Sequence, residues 1–188
     1  MSLFHSTLAS VLEVLENQKA DYLMVGGLAV NYYGYTRLTT DIDLMVALPN
    51  VDTMVVAMKN AGFTSYSVSP LVIFFKKPEP AVRVDFLRVD QVTLAKLLRS
   101  AFPATVQGCQ VNMPSLNDLL AMKFFSLAQS PLRRGKDLMD IVWLSLENKL
   151  DAETVLRPLA MKFASEEIYQ QVCAMLPSAH RKNGHDSK

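Results

Sequence analysis

Two aspartates that stand two residues apart are the first feature of this sequence that could carry chemistry. Asp41 and Asp43 lie in "TDIDLMVAL", where apolar residues alternate with the acids and continue after them. On a β-strand, residues two apart point to the same face, so both carboxylates project side by side. Adjacent carboxylates repel unless a cation lies between them or one keeps a proton. Because oxygen-only ligands favour Mg²⁺ or Mn²⁺, the pair predicts a divalent metal site.

A third carboxylate, Asp85, stands in the alternating segment "VRVDFL". A carboxylate in such an apolar run is costly unless it has a partner. If its strand neighbours the Asp41 strand, three acids converge, which is the set that a two-metal phosphoryl-type transfer requires. A salt bridge to Arg83 or Arg88 is the plainer alternative for Asp85.

A pair of glycines precedes the acids. Gly26 and Gly27 follow the apolar segment "YLMV". Glycines after a strand allow the backbone to approach a phosphate, and the helix that follows offers free N–H groups. Arg37, four residues before Asp41, carries a fork of donors that suits a phosphate. The segment therefore predicts a Gly-Gly turn at a triphosphate.

Other metal chemistries do not fit the sequence. In phosphatases of the haloacid-dehalogenase type the acid pair follows an apolar strand, whereas here the apolar residues come after the acids. An EF-hand loop needs further oxygen ligands and a glycine at fixed offsets, and Met45 and Val46 occupy that region. The histidines have no zinc-ligand spacing with a cysteine.

The composition is that of an ordinary globular protein. The 188 residues are 50% apolar with a net charge of +1, so no global field draws the chain to nucleic acid or membrane. Apolar runs fall short of the roughly 18 residues of a membrane span, and the N-terminus lacks a signal-peptide pattern. Cys109 and Cys173 lie in apolar contexts typical of buried thiols. We therefore expect a cytoplasmic protein that does not bind membranes.

The acids must be positioned by a mixed sheet. We predict an α/β (α+β) fold in which residues 1–113 form a mixed β-sheet flanked by helices, residues 114–177 form a helical region and residues 178–188 form a disordered tail. Apolar alternation and turn residues predict strands at "YLMV", "DIDLMVAL", "FTSYSV", "LVIFFKK" and "VRVDFLRV", with an edge strand at "CQVNMP". Pro158 falls inside a predicted helix of the helical region and is expected to kink it.

Charged residues of the helical region have two interpretations each. Asp137 stands four residues before Ile141, so it lies toward the buried face of its helix, which suggests a partner or a ligand. Lys136 and Asp140 are also four apart and form a surface ion pair in the simplest interpretation. For Lys123, the simplest interpretation is a lysine whose stem lies along apolar surface while its ammonium reaches water.

Taken together, these motifs resemble a known family. "VGGLAV", "RLTTDIDL" and "VDFL" resemble the nucleotidyltransferase fold of the DNA polymerase β superfamily. The nearest likeness is to the AbiEii-type nucleotidyltransferases, which are the toxins of type IV toxin–antitoxin systems, and to their short stand-alone relatives. It covers roughly residues 8–90, and "SLNDLLAMK" and "RGKDLMDI" resemble later motifs. Gly27 departs from the family, since many relatives carry serine there.

The resemblance implies a set of roles. Transfer of NMP from an NTP to a hydroxyl acceptor would use Mg²⁺ or Mn²⁺ held by Asp41, Asp43 and Asp85, with Asp85 helping to activate the acceptor. The nucleotide contacts that it implies are Gly26, Gly27, Arg37, Thr40, Lys123, Lys136 and Asp137, and Asp140 completes the K-D-x-x-D element. The acceptor is RNA, protein or a small molecule, and a cognate antitoxin is the implied protein partner. A small-molecule, antibiotic-type transferase and a catalytically idle binding module are the alternatives.

Overall fold

The computed structural model describes residues 3–77, 82–130 and 134–177. The predicted tail at residues 178–188 lies outside this part of the chain. In the described residues no helix is long and apolar enough to cross a membrane.

The contacts divide the described chain into two compact units. The first comprises residues up to Ala29 together with Arg37–Ser115, and the second comprises Val30–Thr36 with the described residues from Leu116 onward. The elements of the first unit, in chain order, are helix α1 (Leu3–Asn17), strand β1 (Tyr22–Val25), the start of helix α2 (Gly26–Tyr32), strand β2 (Asp41–Val46), helix α3 (Val51–Asn60), strands β3 (Thr64–Val68), β4 (Val72–Lys76) and β5 (Arg83–Arg88), helix α4 (Gln91–Leu98), and strands β6 (Phe102–Val106) and β7 (Cys109–Met113).

A five-stranded mixed sheet organises the first unit and confirms the predicted α/β class. Its strand order is β1-β2-β5-β4-β3. Only the central β2–β5 pair is parallel, and the other neighbours are antiparallel. Along β2 every second residue, Ile42, Leu44 and Val46, is fully buried. The alternation therefore buries one face of this strand in the core and turns Asp41 and Asp43 to the other face.

A small hairpin follows the main sheet. The predicted edge strand at Cys109–Met113 is present, but it pairs with β6, which the sequence did not predict because Pro103 lies within it. Pro103 is tolerated since this sheet has only two strands and both are edges. Gln107 and Gly108 form the turn with φ of 51° and 78°, the positive values that a tight hairpin requires.

The second unit is helical. Its elements are the end of α2, then α5 (Leu116–Gln129), α6 (Arg134–Glu147), a π-helical turn (Ala152–Leu156), α7 (Arg157–Phe163) and α8 (Glu166–Met175). Asp151 caps the π-helical turn, as its side chain accepts from the Thr154 N–H. Pro158 follows this π-helical turn, and Leu156 and Arg157 before it keep αR backbone angles, so helical backbone runs up to the proline. It lies in the first turn of α7, where the missing N–H costs little.

Candidate active site

The three predicted acids lie on the central parallel pair of strands. Asp43 of β2 is opposite Asp85 of β5, and Asp41 is opposite Arg83. Because side chains alternate along both strands, these four residues share one face of the sheet. The pairing of β2 with β5 therefore puts Asp41 and Asp43 on the same sheet face as Asp85, which follows them in the sequence by 42 residues or more.

Arg83 links two of these acids. Its Nη2 lies 2.5 Å from Asp41 Oδ2 and its Nε lies 2.9 Å from Asp85 Oδ1. The contact with Asp85 is an ion pair, and Asp85 Oδ1 has no partner with good hydrogen-bond geometry among the described residues. Arg88, the other proposed partner of Asp85, instead donates to the Ser69 carbonyl at 3.1 Å. The salt bridge to Arg83 is thus present, within the acid cluster itself.

Asp85 is the most buried of the three acids, with 6% of its surface exposed. Its pKa is raised from 3.8 to about 6, mainly by burial; the Arg83 guanidinium lowers the pKa, and the carboxylates of Asp43 and Asp41 raise it. A carboxyl with this pKa changes its protonation near neutral pH. Asp85 is therefore suited to take up a proton near neutral pH.

Gly26 and Gly27 are the first two residues of α2, without the separate turn that the sequence predicted. Gly26 has φ +62°, and a Cβ there would overlap the Asp43 carboxylate and lie 2.6 Å from the Asp43 Cβ. The Gly27 N–H donates to Asp43 Oδ2 at 3.4 Å. Gly26 is thus required by both its backbone conformation and its contact with a site acid.

Two threonines and an arginine before β2 complete the surroundings of the acids. Thr40 donates from its hydroxyl to Asp41 Oδ1 at 3.1 Å, and Thr39 donates to the Asp41 carbonyl at 3.3 Å. A Cβ at Gly27 would lie 2.8 Å from the Thr39 Cβ and 3.3 Å from Arg37 Nη1. Thr39 was not among the predicted site residues, since its contact with Gly27 depends on how the loop folds back.

The predicted residues of the helical unit form a buried charge cluster. The Lys123 ammonium lies 2.7 Å from Asp137 Oδ1 and 2.7 Å from Asp140 Oδ2, and the Ser126 hydroxyl donates to Asp137 Oδ2 at 2.7 Å. Asp137 faces the core as predicted. The surface interpretations of Lys123 and Asp140 are wrong, since both are buried. Lys136 is exposed on the same helix as the two aspartates.

Comparison with protein families decides the class. A family model described as an uncharacterised nucleotidyltransferase matches residues 2–178. The chain belongs to this nucleotidyltransferase family. No curated protein sequence matches the chain at a significant level.

Solved structures share the fold of this nucleotidyltransferase. The antibiotic-resistance factor ANT(2'')-Ia matches with a TM-score of 0.65 at 16% identity, over 89% of this chain and 94% of that one. An antigenic nucleotidyltransferase-like protein from Paracoccidioides brasiliensis matches with a TM-score of 0.56 at 19% identity, over 95% and 97%. The lincosamide antibiotic adenylyltransferase LnuA matches with a TM-score of 0.54 at 15% identity, over 77% and 97%. At these identities the likeness concerns the fold.

The donor chemistry of the nucleotidyltransferase site fits a divalent ion. Asp41, Asp43 and Asp85 offer only oxygen ligands on one sheet face, and Asp85 Oδ1 is a buried acceptor that accepts no hydrogen bond from the described part of the chain. Among all the residues that the structure describes, however, no group of three acidic, histidine or cysteine side chains lies close enough together to hold a metal ion. The Arg83 guanidinium already lies against two of the acids. The acids have the chemistry of a metal site while a side-chain cation partly neutralises them.

Proposed function

We propose that this chain is an active nucleotidyltransferase that transfers NMP from an NTP to a hydroxyl acceptor and releases pyrophosphate. The observation that carries the proposal is that Asp41, Asp43 and Asp85 share one face of the paired strands β2 and β5. Three carboxylates on one face repel each other, and the single positive charge of Arg83 offsets only part of this cost. An idle binding module has no physical need for such a set, which argues against that alternative.

The residues around the acids fit the parts of this reaction. The acceptor oxygen attacks the α-phosphorus, the bond from that phosphorus to the bridging oxygen breaks, and pyrophosphate leaves with the bond electrons. Asp85, whose pKa is raised to about 6 mainly by burial, accepts or orients the acceptor proton. Mg²⁺ or Mn²⁺ held by Asp41, Asp43 and Asp85 would supply neutralisation of the triphosphate charge.

The nucleotide contacts belong to the same proposal. Arg37 approaches Gly27, and Thr40 contacts Asp41, so both lie where a triphosphate beside the acids would meet them. Lys136 is exposed and stays in the proposed set, together with Gly26. Lys123 and Asp137 have a structural role in this set, because they form a buried ion pair that holds α5 against α6. We assign the transfer of NMP to residues 1–113, the predicted nucleotidyltransferase core. Residues 114–177 are the predicted helical region.

The acceptor class is proposed from the structural neighbours. ANT(2'')-Ia was solved in complex with adenylyl-2''-tobramycin, and LnuA was solved with lincomycin bound. A small molecule with hydroxyl groups is therefore the first acceptor to test. RNA or protein, as for an AbiEii-like toxin with a cognate antitoxin, is the second, and the motif likeness around Asp41 and Asp43 supports it.

The free thiols Cys109 and Cys173 support the reducing cytoplasm as the location.

Labelled nucleotides test the reaction and the acceptor together. The protein is incubated with Mg²⁺ and each NTP, labelled at either the α- or the γ-phosphate, in the presence of aminoglycosides and lincosamides, total RNA, or protein. Transfer of the α-label but not the γ-label to one acceptor class, with pyrophosphate released, is the expected result. An Asp43→Asn variant gives the background. Absence of α-label transfer to any acceptor, with no stabilisation of the protein by NTP and Mg²⁺, contradicts the proposal.

A further inference from the structure

Arg83 bridges the two strands that carry the acids. It is the direct neighbour of Asp41 across the β2–β5 pair and stands two residues before Asp85 on its own strand. Its guanidinium uses different nitrogens for the two contacts, with Nη2 at 2.5 Å from Asp41 and Nε at 2.9 Å from Asp85. A single side chain thus neutralises carboxylates from both strands.

Oxygens that could serve a divalent ion already face a side-chain cation. Asp41 Oδ2 and Asp85 Oδ1 face the Arg83 guanidinium, so an ion that used these oxygens would lie close to that guanidinium. Two cations on the same carboxylates repel each other, so ion and guanidinium compete. Arg83 and a divalent ion would therefore compete for the same acids.

The Arg83 side chain is also able to leave. It is 43% exposed, in contrast to 8% for the Asp85 side chain. Its guanidinium carbon lies 5.7 Å from the centre of the Phe74 ring on the adjacent strand β4, a contact that weakly holds a partly exposed cation. Rotation toward solvent would therefore free the carboxylate oxygens without opening the core.

We propose that Arg83 is a displaceable internal cation: it holds Asp41 and Asp85 together before the divalent ion binds, and it turns outward to the triphosphate when ion and NTP arrive. This inference rests on the proposed function. In consequence, the ion alone binds weakly, because it must displace Arg83. The NTP strengthens ion binding, because its phosphates give the displaced guanidinium a new anionic partner.

Binding of Mn²⁺ without nucleotide tests the competition directly. Free Mn²⁺ is measured by electron paramagnetic resonance for wild type, Arg83→Met and Arg88→Met. Arg83→Met keeps the length of the side chain and removes the charge, so we expect about a tenfold lower Kd for Mn²⁺. Arg88→Met removes an arginine of the same strand that bonds to the Ser69 carbonyl, and its Kd is expected to equal that of wild type.

The coupling to nucleotide gives a second measurement. Addition of a non-hydrolysable NTP analogue is expected to lower the Mn²⁺ Kd of wild type by a larger factor than that of Arg83→Met, since the variant has no guanidinium to transfer. If Arg83→Met fails to fold by circular dichroism, Arg83→Lys replaces it. Its shorter reach to the two acids is expected to lower the Mn²⁺ Kd by a smaller but measurable factor.

The outcomes separate this inference from the proposed function. An unchanged or higher Mn²⁺ Kd in both Arg83 variants, while Asp85→Asn loses Mn²⁺ binding, overturns the role of Arg83 and leaves the metal-dependent transfer in place. Weaker binding of the NTP analogue in Arg83→Met with no change in Mn²⁺ affinity also overturns it, since Arg83 is then a phosphate ligand alone. Absence of Mn²⁺ binding in wild type, with no α-label transfer, overturns both.

Discussion

Asp43 and Asp85 are direct neighbours across the only parallel strand pair of the described sheet. Their carboxylates come from strands separated by a helix, a hairpin and the loops between them, so the pairing alone decides that they meet. The like charge of Asp43 contributes to the raised pKa of Asp85. In the proposed reaction, these two residues are where metal binding and proton transfer are coupled.

Replacement of Asp43 tests whether this cluster is catalytic. Asp43→Asn keeps an oxygen that can accept from the Gly27 N–H, which contacts Asp43 Oδ2, so we expect an unchanged fold and melting temperature. Loss of one anionic ligand should lower kcat/KM for α-label transfer by about a thousandfold. Asp21→Asn, which changes an exposed aspartate before β1, is the matched control and should keep full activity. Transfer at the wild-type rate by Asp43→Asn would show that the acids are structural.

The raised pKa of Asp85 predicts how stability depends on pH in the absence of divalent ions. Its pKa is about 6 in the folded protein against 3.8 for the ordinary group, mainly because of burial. The folded state therefore keeps this proton over a range where the unfolded state releases it. The stabilisation is fully present below the unfolded pKa and is lost as the pH rises through about 6.

Asp85→Asn removes this dependence, because asparagine stays neutral. The unfolding free energy of the variant minus that of wild type should therefore increase by about 2 kcal/mol from pH 4 to pH 7.5. Urea unfolding in the presence of a chelator at both pH values gives the two differences. Asp21→Asn serves as the control, with the same difference from wild type at both pH values. A difference for Asp85→Asn that does not change with pH would mean that Asp85 is ionised throughout, held so by Arg83.

The acids were predictable from sequence and Arg83's double contact was not. Alternation of acidic and apolar residues in "DIDLMV" and "VRVDFL" is local information, and it predicts strands with one buried face. The alternation also places Arg83 on the same face as Asp85. That Arg83 reaches Asp41 as well depends on the register between two strands whose contacting residues are 42 apart, and nothing local fixes that register.

The same limit explains the differences in the fold. Strand β6 was missed because Pro103 argues against a strand by local rules, whereas an edge strand tolerates it. The start of α2 at Gly26 was missed because glycines ordinarily favour turns, and here the approach of Asp43 requires a glycine at the first residue of the helix. Burial of Asp140 depends on the packing of α5 against α6, which pairs it with Lys123. In the cases of Gly26 and Asp140, a tertiary contact overrode a local preference.

The buried charge cluster of the helical unit predicts a large stability effect. Lys123→Met removes the ammonium shared by Asp137 and Asp140, which are 2% and 0% exposed. Two buried carboxylates that lose this partner should cost about 3–5 kcal/mol in unfolding free energy at neutral pH. Lys136→Met, at an exposed position on α6, should change it by no more than about 0.5 kcal/mol. Urea unfolding monitored by circular dichroism measures both.

A triple variant separates lost charge balance from lost packing at this cluster. Lys123→Met with Asp137→Asn and Asp140→Asn removes the charges together, so it should recover much of the stability lost in Lys123→Met. If Lys123→Met unfolds at the same urea concentration as Lys136→Met, Lys123 does not stabilise the helical unit. Its place among nucleotide contacts would then be direct, and weaker NTP binding by Lys123→Met would be the result that reveals it.

The close approach of Thr39 to Gly27 predicts a coupling between the two positions. A Cβ at residue 27 would lie 2.8 Å from the Thr39 Cβ, closer than real Cβ atoms come to a neighbouring atom, so Gly27→Ala should cost about 2 kcal/mol. Thr39→Gly removes that neighbour, and the double variant should therefore lose less stability than the two single variants together. Gly135→Ala, at a helical glycine with open space around it, is the control and should cost nothing. The Thr39 side chain thus fills the space that a side chain at position 27 would need. Strictly additive costs in the double variant would contradict this explanation.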